Sequence, residues 1–194
     1  MTLPVESSSA VSEGMPERLW FALVVKPRHE KSVARGLRAK QLEEFLPLYR
    51  ERRTWSDRTK AVEFPLFSGY VFCRFAYAER IPVLNTPGVV CILGAGEVFA
   101  PIAETEMETI RLIAQSGLPA KPCPYLSVGE VVRVEEGPLA GINGIVIRNK
   151  GATSVVISVE LLRRSVAVEL NSETVRAVPP GIAAAGGYSA AAVL

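Results

Sequence analysis

One histidine and three cysteines are all that this 194-residue chain offers to soft-metal or nucleophile chemistry. Cys73, Cys91 and Cys123 are odd in number and show no CxxC spacing, which argues against a disulfide framework or a zinc site. Each reads as a small apolar filler. His29 stands among Arg28, Lys31 and Arg35, and no triad partner is in view. Gly94-Ala95-Gly96 lacks the third glycine and following helix of a dinucleotide fingerprint, and Gly137 to Gly144 lacks the Gly-Lys-Ser/Thr of a phosphate loop. The carboxylate pairs Glu43-Glu44 and Glu135-Glu136 are adjacent, not convergent. These absences point away from an enzyme and from any cofactor. Runs long and apolar enough for a membrane span are also missing. The opening MTLPVESSSAVSEGMPE has no basic region followed by an apolar stretch, unlike a signal peptide. A reducing, cytoplasmic setting and a monomer are the expectation.

What is present is an ordinary globular composition, 48% hydrophobic and 22% charged, with a formal net charge of only +2. The distribution of charge says more than the sum. Residues 26–60 hold eleven Lys/Arg against five Asp/Glu, while residues 61–120 hold three against six. Such asymmetry is what a face that meets a polyanion shows, and also what a solvated helix and hairpin show.

Two differently patterned regions lie between a Ser-rich lead-in over 1–16, read as disordered, and a Gly/Ala-rich stretch over 179–194, read as a flexible tail. In the first region, over 17–117, the continuous apolar run Leu19 to Val25 suits a buried strand. His29 to Leu42, with Val33 and Leu37 four apart, predicts an amphipathic helix. Phe45 to Arg53 and Phe64 to Phe75 predict strands on either side of a polar hairpin tip, Trp55 to Lys60. A short strand follows from Val89 to Leu93. Thr105-x-x-Glu108 has the form of a capping box, Met107, Ile110 and Ala114 recur at helical spacing, and Gly117 sits where a C′ glycine belongs. This order predicts an α+β fold, with helices against a mainly antiparallel sheet.

A stiff, proline-containing linker over 118–126 follows, with Lys121-Pro122-Cys123-Pro124 at its centre. Over 127–178 the pattern changes to period-2 runs, Val132/Val134, Ile145/Ile147, Val155/Ile157/Val159 and Val166/Val168/Leu170, separated by turn signals at Gly137-Pro138 and Asn143-Gly144. That predicts a small SH3-like β-barrel.

The densest chemical signal is aromatic. Phe64, Phe67, Tyr70, Phe72, Phe75 and Tyr77 fall within fourteen residues. On a strand Tyr70 and Phe72 share one face. If that face is left open it forms an apolar patch of the kind that marks a protein contact, and if both faces are covered it is core.

Taken together, these residues resemble a known family. Val131 to Val146 (VVRVEEGPLAGINGIV) resembles the KOW motif. Trp20-Phe21-Ala22-Leu23, Glu30-x-x-Val33-x-x-x-Leu37, Leu66 to Phe72, Pro87-Gly88-Val89 and Pro101-Ile102 resemble the amino-terminal (NGN) domain of the NusG family. The resemblance covers roughly 17–178, with both domains in the family's order. It implies a transcription elongation and antitermination factor whose first domain binds the RNA polymerase clamp helices and suppresses pausing. By position, Phe67, Tyr70, Phe72, Leu93, Met107 and Ile110 would face polymerase. Lys26, His29, Lys31 and Arg35 would meet non-template DNA.

For the second domain the resemblance implies recruitment of a small-subunit ribosomal protein or the termination factor Rho through Leu161, Leu162 and Arg164. The sequence departs from the housekeeping pattern in three places. Leu162-Arg163-Arg164 stands for Phe-Gly-Arg, which argues against carrying Rho binding over. Phe67-Ser68-Gly69 stands for Phe-Pro-Gly, and Lys26-Pro27-Arg28 for a Ser-Gly approach to the first helix. These departures, with the short hairpin, favour a specialised RfaH/UpxY-like paralog over a housekeeping NusG. A KOW-type ribosome- or RNA-binding protein is the alternative from another class. It predicts stacking aromatics on the barrel, yet 127–178 contain none and balance six Lys/Arg against six Asp/Glu.

Overall fold

The computed structural model describes residues 17–55, 58–95, 98–124, 131–149, 152–159, 162–170 and 174–178. The lead-in, the tail and the hairpin tip Ser56-Asp57 lie outside the described residues. Strand β1 (Leu19–Val25) leads to helix α1 (Glu30–Ala39), β2 (Glu43–Phe45), and the hairpin β3 (Leu48–Trp55) and β4 (Arg58–Pro65). After β5 (Tyr70–Phe75) come a 3-10 turn over Tyr77–Glu79, α2 (Arg80–Leu84), β6 (Val89–Ile92), the short pair β7 (Gly94–Ala95) and β8 (Val98–Phe99), β9 (Pro101–Ile102) and α3 (Glu104–Gln115). The remaining elements are strands: β10 (Ala120–Pro124), β11 (Val131–Val134), β12 (Asn143–Asn149), β13 (Ala152–Val159), β14 (Arg164–Leu170) and β15 (Val175–Ala177).

The first domain is an antiparallel sheet ordered β2-β5-β1-β6, with β9 also paired to β1. The apolar run in β1 is explained by burial on both faces. Trp20 and Ala22 join Phe72 and the α3 residues Met107, Ile110 and Ile113 in one cluster. Phe21, Leu23 and Val25 join Val71, Cys73 and the α1 residues Val33, Ala34 and Leu37 in the other. Since side chains alternate along a strand, α1 and α3 cover opposite faces, an α/β sandwich. The second domain is all antiparallel, ordered β10-β14-β13-β12-β11-β15, and buries Val132, Val134, Leu139, Val155, Ile157, Val166 and Val168.

Several local expectations are corrected. The single strand over 64–75 is two, broken by a turn in which the Tyr70 N–H donates to the Phe67 carbonyl at 3.1 Å and Gly69 takes φ +85°. The turn and helix over Tyr77–Leu84 carry too short a period to be legible, and Pro82 lies inside α2. The capping box at Thr105 does not form: the N-cap is Ala103, two residues earlier, with no side-chain cap, and Glu104 and Glu106 occupy the first turn of α3. At its far end Gly117 does take the left-handed conformation, φ +70°, just past the last turn.

The stretch expected as linker is in part a strand. β10 pairs with β14 from Ala120↔Val168 to Pro124↔Arg164 at the edge of the second sheet, the position that tolerates the missing N–H groups of Pro122 and Pro124. Gly144 is not a turn residue. It lies in β12, where an added Cβ would meet Val155 Cγ1 at 2.5 Å and the Val156 carbonyl oxygen at 2.8 Å. Close backbone approach, not positive φ, requires glycine there.

Candidate functional site

The expected polymerase-facing set divides in two. Phe67, Phe72, Met107 and Ile110 are all buried, none above 2% exposed. The Phe72 ring stands edge-on to Phe67 at 5.6 Å and stacks on Phe45 at 6.4 Å. These four are core and not an open patch in this conformation, because α3 lays Met107 and Ile110 on the face that Phe72 presents. Tyr70 and Leu93 differ: both are half-buried and pack against the edge of that cluster. The turn before Tyr70 is fixed from the other side of the sheet, where the buried Glu30 of α1 accepts the Gly69 N–H at 2.9 Å.

A groove opens beside this cluster, lined by Phe45, Tyr49, Leu66, Ile113 and Leu118, with Arg50, Arg52 and Glu63 at its polar end. Phe45, Tyr49 and Leu118 are half-buried against the same core. Three separated segments supply these residues, so nothing in the linear pattern groups them. Arg111 closes the neighbouring surface. Its guanidinium lies 4.7 Å over Trp20 and 5.9 Å over Phe45, and reaches Glu43 at 3.3 Å and Glu104 at 3.5 Å.

Lys26, His29, Lys31 and Arg35 are all exposed. His29 Nδ1 lies 3.0 Å from the Pro27 carbonyl oxygen, and Arg35 Nε donates to the Lys31 carbonyl at 3.4 Å. Glu63 of β4 sits between Lys31 at 3.9 Å and Arg50 Nε at 3.2 Å, so the base of the β3–β4 hairpin lies against α1. The basic surplus over 26–60 is thereby gathered around α1 and the hairpin, where Arg52 and Lys60 are exposed as well. Arg28, in the approach to α1, takes φ +66°. An arginine held in the left-handed region costs on the order of 1 kcal/mol relative to glycine.

In the second domain Leu162 is 4% exposed and belongs to the core, so its side chain is not on an outer contact surface. Arg164 is exposed at the start of β14, and Leu161 lies outside the described residues. Arg163 takes a left-handed backbone with φ +49°.

Among the described residues no activated cysteine nucleophile is found. Burial, helped by the charges of Glu44 and Glu43, pushes the Cys73 thiol up to about 12, so it is no thiolate at neutral pH. Burial also raises Cys123, and Cys91 is exposed. Among the described residues no helix is long and apolar enough to cross a membrane.

Comparison with known proteins adds to this geometry. The family described as "Transcription termination factor nusG" matches residues 18–111. The chain is 31% identical over 173 residues to the transcription termination/antitermination protein NusG of Pseudomonas aeruginosa, covering 82% of this chain and 98% of that one. It is 26% identical over 170 residues to the protein of the same name from Escherichia coli, covering 80% and 94%. Among solved structures it is similar to one described as "Domain interaction in Thermotoga maritima NusG", with a TM-score of 0.54 at 19% identity, over 84% of this chain and 98% of that one. At that identity the likeness concerns the fold alone.

Proposed function

This chain belongs to the NusG family of transcription factors, and from that premise we propose that its first domain docks on RNA polymerase while its second recruits a further protein. The observation that carries the docking reading is the half-buried apolar rim of the α3 face. Tyr70 and Leu93 edge the cluster there, and the groove of Phe45, Tyr49 and Leu118 opens beside it. A rim of aromatics that still has surface to bury is where interface energy concentrates, at about 2 kcal/mol or more for each true anchor. The occupant is the clamp-helix pair of polymerase. Phe67, Phe72, Met107 and Ile110 act from beneath, as the rigid floor that fixes the rim.

The exposed cations around α1, Lys26, His29, Lys31 and Arg35, then lie alongside nucleic acid. Non-template DNA is the partner, held through phosphate contacts that weaken as salt rises. The second domain contacts a small-subunit ribosomal protein through the tip that ends in Arg163 and Arg164. The left-handed arginine at that tip, like the left-handed Arg28 before α1, supports a specialised, operon-restricted factor rather than a housekeeping one. Both stand in stretches, Lys26-Pro27-Arg28 and Leu162-Arg163-Arg164, that depart from the glycine-containing pattern the resemblance implies.

The test is retention of the full chain on immobilised core RNA polymerase, wild type against Tyr70→Ser/Leu93→Ser, with folding checked by circular dichroism. Loss of one anchor's worth of contact, about 2 kcal/mol, weakens binding about thirtyfold. Equal retention of both proteins removes the rim from the interface. Failure of the wild type to be retained removes polymerase from the account.

A further inference from the structure

Helix α1 begins on a carboxylate that the first domain keeps inside. Glu30 is 6% exposed, the one buried Asp or Glu among the described residues. Burying a charge costs free energy unless the site gives it partners. Two features offset that cost. The carboxylate stands in the first turn of α1, where the positive end of the helix favours it. It also accepts the Gly69 N–H at 2.9 Å, a bond that a charged acceptor strengthens.

The far end of this bond is the turn that leads into β5. Gly69 takes φ +85°, its carbonyl accepts the Val25 N–H at 2.9 Å, and the next N–H, that of Tyr70, donates to the Phe67 carbonyl at 3.1 Å. Gly69 is thus held by β1 through its carbonyl and by α1 through its N–H. Phe67 on one side of it is buried and stands edge-on to Phe72 at 5.6 Å, so its own packing fixes it. Tyr70 on the other side is half-buried at the rim of the cluster. With less core around it, its ring stands where the backbone just before it points. The near end of the bond lies in the turn of α1 that carries Lys31 and follows His29, both exposed. One hydrogen bond therefore joins the helix that presents the cations to the turn that presents Tyr70.

We propose that Glu30 is a positioning residue for docking: it holds the Gly69 N–H, and through it sets the Tyr70 ring in the apolar rim at a fixed place relative to the α1 cations. The proposal rests on the reading of that rim as the polymerase-facing surface. The role needs an acceptor oxygen at the reach of a glutamate side chain, and a shorter side chain cannot supply it.

The test is retention of the full chain on immobilised core RNA polymerase. Glu30→Gln, Glu30→Asp and Glu30→Ala are compared with wild type, each alone and in a Tyr70→Ser background. Glu30→Gln keeps an acceptor at the same reach and binds like wild type. Glu30→Asp keeps the charge but is shorter by a methylene. It and Glu30→Ala bind about tenfold more weakly, the size of loss that an orphaned buried N–H brings. In the Tyr70→Ser background the same changes add nothing, because the ring they position is gone. Hydrogen exchange at the Gly69 amide is faster in Glu30→Asp and Glu30→Ala than in wild type and Glu30→Gln. Equal retention of all three variants overturns the proposal and leaves the rim reading standing. A loss of the same size in the Tyr70→Ser background also overturns it, and leaves Glu30 a role in stability alone. If the wild type is not retained, the rim reading and the role of Glu30 fall together.

Discussion

Replacing Gln41 by glycine is expected to stabilise the protein. Helix α1 ends in a Schellman arrangement: the Leu42 N–H donates to the Leu37 carbonyl at 3.1 Å and the Gln41 N–H to the Arg38 carbonyl at 2.9 Å. The accompanying apolar contact is present too, since Leu37 and Leu42 are both buried in the α1-side core. The residue at the left-handed position is Gln41, φ +60°, with its side chain exposed. Left-handed backbone costs an L-residue roughly 1–2 kcal/mol, whereas glycine adopts it freely. Glycine also gives the unfolded chain more freedom, worth roughly 0.4–1 kcal/mol against it. The difference leaves Gln41→Gly more stable by about 0.5–1 kcal/mol. In a domain near 100 residues that is a rise in Tm of a few degrees, since 1 kcal/mol moves it roughly 4–8 °C. The assay is thermal and urea unfolding of Gln41→Gly beside Lys40→Gly, where φ is −89° and glycine relieves no strain, adds its entropic cost and removes the Lys40 Nζ hydrogen bonds to the Pro82 carbonyl at 2.8 Å and Thr86 Oγ1 at 2.9 Å. If Gln41→Gly is neutral or destabilising, or if Lys40→Gly stabilises equally, the strain argument is wrong. Arg163→Gly carries the same reasoning to the second domain, where φ is +49°.

Three further outcomes follow from the packing and the charges. Gly144→Ala should destabilise the second sheet by about 1–3 kcal/mol, because its Cβ would overlap Val155 Cγ1 and the Val156 carbonyl; urea unfolding with a second-domain probe reads this. Glu79 accepts the Ala76 N–H at 2.8 Å and pairs with Arg18, and these hold its carboxyl below the usual range. A depressed carboxylate stabilises above its unfolded value and loses that contribution as pH falls through the folded one. Glu79→Gln should therefore cost on the order of 1 kcal/mol at pH 7 and close the gap to wild type in acid, as unfolding at the two pH values would show. Thiol titration of the native protein at pH 8 should find Cys91 reacting first, Cys123 more slowly and Cys73 only on unfolding, because Cys73 is buried with its thiol raised to about 12.

The order of elements and the change of period at the domain junction are legible in the residues. Val132/Val134 and Val155/Ile157 alternate in sequence and are buried in the structure, though the intervening Val156 and the adjacent Val131 are buried as well. The aromatic strand shows where such reading stops. Parity places Tyr70 and Phe72 on one face correctly, but no local pattern says that α3, more than thirty residues on, covers Phe72 and leaves Tyr70 at the rim. The groove of Phe45, Tyr49 and Leu118 is invisible for the same reason, being assembled from distant segments. Proline misleads at Pro122 and Pro124, which read as a connector but sit on an edge strand, where a missing N–H is harmless. Glycine misleads at Gly144, which reads as a turn but answers to a neighbouring strand.

The most direct test of the central claim is single-round elongation by core RNA polymerase on a template with a strong pause, with and without the full chain. Shorter pause lifetimes with the wild type, returning toward the factor-free value with Tyr70→Ser/Leu93→Ser, are what the account predicts. Pause lifetimes unchanged by the wild-type chain, at concentrations where it is retained on polymerase, would contradict it.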